Sequence, residues 1–345
     1  MKQLTNLLFC LAIIVLTSSC SKDNPAPSTT TSTINKYSGS ASYGDLLSFA
    51  FDATKKSYTI TNETTNKSNS GTYEAEPTLK GVYKVKDATS SQTFYAVELS
   101  KKFMAANMPT GNTQNKIAVS VTAEIDNTNN WTNIQGDYTY IVVDETQQYK
   151  NWGIVRVQSD KTFYGYEYTT NTQAPEDLDN SNYNDGDYVS GTFSINPTNK
   201  ERLVVNVKKP STQSWTGFVY ATSTDGVIVL DRGEGKGFIL AIKDNSTSTL
   251  AKIAGTYAYV TDDLTGGNIT INSNGSGSYI SLYNGGKGSG TLSDIQPCSY
   301  MKNLYYGYDG NGNKLYYCLI NEILYFILFD SDSNFNFYGV GGKVN

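Results

Sequence analysis

Apolar and polar positions alternate in short runs along most of this chain, and past the first twenty residues they nowhere recur at a helical period. SFAFDATKKSYTI, VRVQSDKTFYGY and NITINSNGSGSYISL each read as two strands folded about a polar turn. Each is followed by the letters SGT, at Ser70, Ser190 and Ser289, inside a further strand-like run. Next come GVYKV, LVVNV and NLYYGY, then FYAVEL, GFVYATS and KLYYCLI. A last strand, IAVSV, FILAI or NFYGV, begins about 46 residues past each SGT glycine. Similar lead-ins stand in front: TINKYSGSASY, NWTNIQGDYTY and TLAKIAGTYAY, which set Gly39, Gly136 and Gly255 in register. One three-letter match is noise in so Ser-, Gly- and Thr-rich a chain. Ordered matches with a constant tail length are a module used three times.

Each module supplies seven or eight short strands joined by short connections, so an antiparallel meander is expected. A meander hides its edges by closing on itself or by stacking on another sheet. The expected fold class is therefore all-β, three tandem up-and-down β-barrel-like repeats. The rival is a single six-bladed β-propeller, because half-modules repeat at about 45 residues. GVIVLDR and ILYFILFD favour that rival: both are apolar on both faces, which suits stacked blades better than a barrel wall facing water. The modules are expected at 37–126, 127–247 and 248–345.

The third module, IAGTYAYVTDDLTGGNITINSNGSGSYISLYNGGKGSGTLSD, resembles the opening of lipocalin-like and avidin-like meander barrels. In those families a Gly-x-aromatic opens strand one, and Gly-Thr often lies in strand four. Tyr138 and Tyr257 stand where those families usually carry Trp, and Ala41 stands there in the first module. The resemblance implies the fold and no ligand residue.

The N-terminus, MKQLTNLLFCLAIIVLTSSCSKDN, has a basic start, a short apolar run and small residues ending at Cys20. It resembles a bacterial lipoprotein signal, with SKDN a weak form of the export signal of Bacteroidetes-type lipoproteins. The resemblance implies removal of residues 1–19, a lipid on Cys20, and an outer-membrane location at the cell surface or the periplasmic face. Residues 20–36 then form a polar tether. Loss of Lys2 with the leader takes the net charge from −5 to −6, which argues against a nucleic-acid partner. With Cys20 acylated and Cys10 removed, Cys298 and Cys318 remain in an oxidising compartment, and a disulfide between them is expected.

The chain has no histidine, which removes Ser-His-Asp and Cys-His catalysis and leaves a zinc site without its commonest ligand. Acidic residues fall almost wholly in turns, so the reading is non-enzymatic. Gly136 stands 55 residues before Gly191, against 32 from Gly39 to Gly71 and 35 from Gly255 to Gly290. The second module therefore carries an acidic insertion, at 169–187, holding Glu176, Asp177 and Tyr183, with Tyr188 just past its end. Trp152 and Trp215 stand at connections expected on the same barrel end. Aromatics beside carboxylates suit a sugar, whose ring faces stack while its hydroxyls hydrogen-bond. Trp152, Trp215, Glu176, Asp177, Tyr183 and Tyr188 are thus the candidate ligand residues. In the third module Asp262, Asp263, Asp309, Asp330 and Asp332 form a weak calcium candidate, lacking the Gly and Glu of an EF-hand. No other cofactor is expected. The function expected is binding of a glycan or other small ligand at the end of module two. The alternative is a structural or adhesion spacer acting through protein partners.

Overall fold

The computed structural model describes residues 33–344 apart from 43, 89–92, 100–102, 110–116, 124–133, 144–150, 170–173, 199–201, 210–211, 222–225, 234–235, 245–248, 284–285, 321 and 330–334. Cys20, Asp330 and Asp332 lie outside the described residues.

The three modules are three closed antiparallel barrels, each a meander of consecutive strands. The first runs β1 (Ile34–Ala41), β2 (Leu46–Asp52), β3 (Ser57–Asn62), β4 (Lys67–Ala75), β5 (Val82–Asp87), β6 (Thr93–Leu99), β7 (Phe103–Pro109) and β8 (Ile117–Ala123). The second runs β9 (Gly136–Val143), β10 (Asn151–Val157), β11 (Thr162–Thr169), β12 (Asp187–Ile195), β13 (Leu203–Lys209), β14 (Thr212–Ala221), β15 (Val227–Asp231) and β16 (Phe238–Lys243). The third runs β17 (Gly255–Thr261), β18 (Gly266–Ile271), β19 (Gly277–Tyr283), β20 (Gly286–Pro297), β21 (Leu304–Asp309), β22 (Lys314–Ile320), β23 (Ile323–Phe329) and β24 (Phe335–Val344). First strand pairs with last in every module, which leaves no sheet edge and sets the propeller aside.

The SGT repeat has a packing reason. Its glycine pairs across the ladder with an aromatic residue of the preceding strand: Gly71 with Tyr58, Gly191 with Phe163, Gly290 with Tyr279. A Cβ at any of the three would run into that ring, so only glycine lets the aromatic lie flat over its neighbour. Followed onward, these ladders reach strand one at Asn35, Gly136 and Tyr257. The lead-in glycines therefore do not share one level. Tyr37, rather than Ala41, is the first-barrel counterpart of Tyr138, and its ring is buried in the barrel interior.

Each interior has its own core. Tyr37, Phe49, Phe51, Tyr58, Tyr73 and Phe94 fill the first, and Tyr257, Tyr259, Tyr305, Tyr317 and Phe326 fill the third. A fourth apolar cluster lies outside the barrels. It joins Val97, Phe103 and Ala105 of the first, Val143, Trp152, Val227 and Val229 of the second, and Val260, Ile323, Tyr325 and Val340 of the third. This explains GVIVLDR and ILYFILFD. In β15, Ile228 and Leu230 point inward while Val227 and Val229 pack against the neighbouring barrels, and β23 divides likewise. The outer wall is apolar because another barrel covers it. All described residues from Ile34 onward accordingly form one compact unit.

Polar contacts fix each seam. Between barrels one and two, Ser40 Oγ donates to Asp231 Oδ2 at 2.5 Å and Arg202 meets Glu63 at 3.0 Å. Between one and three, Asn107 Nδ2 donates to Thr265 O at 2.9 Å, and Asn268 exchanges two hydrogen bonds with the Lys80 backbone. Between two and three, Thr139 Oγ1 donates to Lys302 O at 3.0 Å and Asn303 Nδ2 to Asp244 Oδ1 at 3.1 Å. Each buried donor or carboxylate would carry a desolvation cost if left unpaired, so these pairs select one docking geometry.

Candidate ligand-binding site

The acidic insertion does not hang over a barrel mouth. Its described part begins at a single 3₁₀ turn, Pro175–Asp177, and lies along the seam between the second and third barrels. Leu178 is buried in the shared apolar cluster with Trp152 and Tyr316. Glu176 forms an ion pair with Lys314 and accepts from the Tyr316 hydroxyl at 3.3 Å. Lys314 in turn lies 5.2 Å from the Tyr306 ring and 5.3 Å from that of Tyr316, and burial pulls its pKa below the usual lysine value. The insertion is a strap joining two barrels.

This corrects several expectations. Trp152 is 2% exposed, with its indole 5.4 Å from the Tyr316 ring, so it offers no face to a sugar. Trp215 lies within β14 opposite Val207 rather than at a connection; its side chain lies outside the described residues. Glu176 is engaged with Lys314, and Asp177 belongs to the 3₁₀ turn beside it. The expected disulfide is not formed: Cys298 and Cys318 are both free thiols, buried in the seam cluster. Cys298 N donates to Leu304 O, and Leu304 pairs with Cys318 on its other side. One strand therefore stands between the cysteines, and two strand spacings of about 4.8 Å exceed the roughly 4.4–6.8 Å that a bridge spans. Burial pushes the Cys298 thiol up to about 12.

The described calcium candidates stand in turns of barrel three: Asp263 and Asp309 cap their own turns, and Asp262 reaches the last strand. Asp262 Oδ1 accepts from Tyr338 N at 3.0 Å, and Asp263 Oδ1 from Thr261 Oγ1 and Thr265 N. Asp309 accepts from the backbone of Asn311 and Asn313 and from the Asn313 amide. Among the described residues no group of three carboxylate or thiol side chains comes together that could hold a metal ion.

Two spaces remain. One is inside the second barrel, where Val, Ile, Leu and Ala replace most of the rings of the other interiors and leave a cavity of about 60 Å³. Its polar groups, Glu167 and Tyr140, bond to each other at 3.2 Å, and the rest of its lining is apolar. A few waters would fill it. The other is a cleft of about 380 Å³ on the outer wall of the second barrel, closed on one side by the third. Ligand sites start at about 300 Å³, so size favours the cleft.

The cleft is built from outward positions of three strands. Asp137 comes from β9, Ile154 and Arg156 from β10, Tyr164 and Tyr166 from β11. The strap adds Tyr183 and Asn184, and the loop between β20 and β21 adds Tyr300 and Lys302. Asp244, just past β16, completes it. Tyr168, buried below, donates its hydroxyl to Tyr183 O and so fixes that part of the strap. The Tyr183 and Tyr300 rings face each other at 6.0 Å, tilted by 51°. Tyr188 packs edge-on against Tyr166 at 5.8 Å and is 42% exposed, extending the aromatic wall outward.

The charges in the cleft are ordered. Arg156 grips Asp137 with two bonds, Nε to Oδ1 at 2.5 Å and Nη2 to Oδ2 at 2.8 Å, and holds its carboxyl below the usual range. Asp244 Oδ1 accepts from Thr139 and Asn303, while burial pushes its carboxyl up to about 6. The Tyr183 hydroxyl is raised first by burial and then by the nearby charge of Asp244. Of the residues expected from sequence to bind, Tyr183 lines this cleft and Tyr188 flanks it. Asp137, Arg156, Tyr164, Tyr166, Asn184, Asp244, Tyr300 and Lys302 were not foreseen. Alternation in VRVQSDKTFYGYEY carried part of the signal, since it sets Arg156, Tyr164 and Tyr166 on one outward face beside inward valines and Phe163.

Compared with known protein families and characterised proteins, the chain matches no family model and no characterised sequence.

Proposed function

We propose that this chain is a lipid-anchored envelope protein, without catalytic activity of its own, that binds a carbohydrate in the cleft between its second and third barrels. The observation that carries the reading is the cleft itself. Four outward-facing tyrosines, an amide, two carboxylates and two cations surround about 380 Å³ of space. Rings stack on the apolar faces of a pyranose, and the interleaved donors and acceptors match its hydroxyls. The anchor rests on the lipoprotein-like signal ending at Cys20. The spacer alternative is less well supported, because barrels clustered in one unit lose the reach that three in a row would have.

Two experiments test this. The chain from residue 21 onward, screened on a glycan array, should bind a sugar, and Tyr183→Ala should abolish the signal without lowering the melting temperature by more than a few degrees. A blank array from folded protein would remove the carbohydrate reading. For the anchor, Cys20→Ser should shed the protein from membranes after a salt wash; retention would remove the lipoprotein reading.

A further inference from the structure

The cleft holds two potential negative charges, Asp137 and Asp244, and two positive ones, Arg156 and Lys302. Arg156 donates through Nε and Nη2 to both oxygens of Asp137, so that carboxylate offsets the guanidinium charge and repels an anion approaching the N–H groups that remain. Lys302 lies near enough to both carboxylates to lower their pKa values. Asp244 has Oδ1 occupied by Thr139 and Asn303, which leaves Oδ2 as an acceptor beside the donors of Asn184 and Lys302. Ionised acceptors and amide donors standing side by side match adjacent hydroxyls. A carboxylate or sulfate placed there would meet Asp244, and the guanidinium in the same cleft already has its charge offset by Asp137.

Resting on the carbohydrate reading above, we propose that the cleft selects uncharged, hydroxyl-rich sugars and rejects acidic ones, because its carboxylates and cations neutralise one another where they stand. Selectivity then lies in the Asp137–Arg156 pair, whose own carboxylate offsets the guanidinium charge that an acidic sugar would otherwise meet. The tyrosines supply affinity that every pyranose shares.

The test is titration calorimetry at pH 7.5 of the chain from residue 21 onward, with two sets of probes. One is neutral gluco-, xylo-, manno- and galacto-oligosaccharides, and the other uronate-containing and sulfated oligosaccharides of the same length. The best neutral sugar should bind at least tenfold tighter than any acidic one. Asp137→Asn, which frees Arg156, should raise affinity for uronates at least tenfold, and Asp244→Asn should move it in the same direction should the first variant fail to fold. Acidic sugars binding as well as neutral ones, or a folded Asp137→Asn protein with unchanged uronate affinity, overturns the selectivity and leaves the carbohydrate reading standing. Failure of folded wild-type protein to bind either set overturns both.

Discussion

The seam between the second and third barrels has two halves built from the same kinds of residue. In one, Trp152, Tyr316, Leu178 and Cys298 are packed dry in the apolar cluster. In the other, Tyr164, Tyr166, Tyr183 and Tyr300 stand around open space with charged residues between them. Aromatic content does not distinguish the halves. What distinguishes them is whether the strap and the third barrel cover the wall. Outward aromatics on a barrel are therefore packing where a partner barrel reaches them and a candidate platform where it does not.

The largest effect that would break this comparison comes from cutting the seam. Residues 249–345 form a closed barrel, yet alone they would expose Ile323, Tyr325, Tyr338 and Val340 along one wall. The fragment is expected to aggregate, whereas the chain from residue 21 stays monodisperse. A soluble, cooperatively folding fragment would mean that the outer cluster contributes little. Solubility of the fragment thus reports on the seam.

Next in size is the dry half. Trp152→Ala should destabilise the protein by about 3–5 kcal/mol in denaturant melts, as large-to-small core changes do. Loss of ligand binding at unchanged stability would instead put Trp152 at the ligand. A pH titration probes the other barrel-two seam. Asp231 is 1% exposed and bound by Ser40; burial, with Asp45 adding and Arg202 opposing, pushes it up to about 6. Its folded-state value is raised, so folded protein holds a proton that the unfolded chain has lost between about pH 4 and 6. Stability should therefore rise as the pH falls through 6, by up to about 3 kcal/mol, with Asp244 acting in the same direction. Asp137, held low, weakens the fold only below that window. Asp231→Asn should flatten the profile between pH 5 and 7.5, and an unflattened profile would assign the slope elsewhere. A smaller effect is expected at the strap: Glu176→Gln should cost about 1–2 kcal/mol and loosen Tyr183, raising its quenching by acrylamide.

Much of the fold was legible because strand alternation and turn residues are local. SGT was readable as a repeat before its cause was known, the need for glycine under Tyr58, Phe163 and Tyr279. The site was less legible. GVIVLDR announced a wall buried on both faces, and nothing local says whether another blade or another barrel covers it. Trp152 and Tyr183 looked alike as aromatics near an acidic insertion; their fates divide through contacts with Tyr316 and Tyr300, more than a hundred residues away. Asp137 and Asp244 are joined by backbone pairing across the barrel closure, a juxtaposition that no spacing along the chain reveals.

The most direct measurement is calorimetric titration of wild type and the double variant Tyr183→Ala/Tyr300→Ala with the best-binding neutral oligosaccharide, alongside thermal melts of both. Base-free stacking on two rings is worth about 0.5–1.5 kcal/mol per ring beyond area burial, so a loss of at least tenfold in affinity is expected with little change in melting temperature. Equal affinities for the two proteins would contradict the assignment of the open half of the seam as the ligand site.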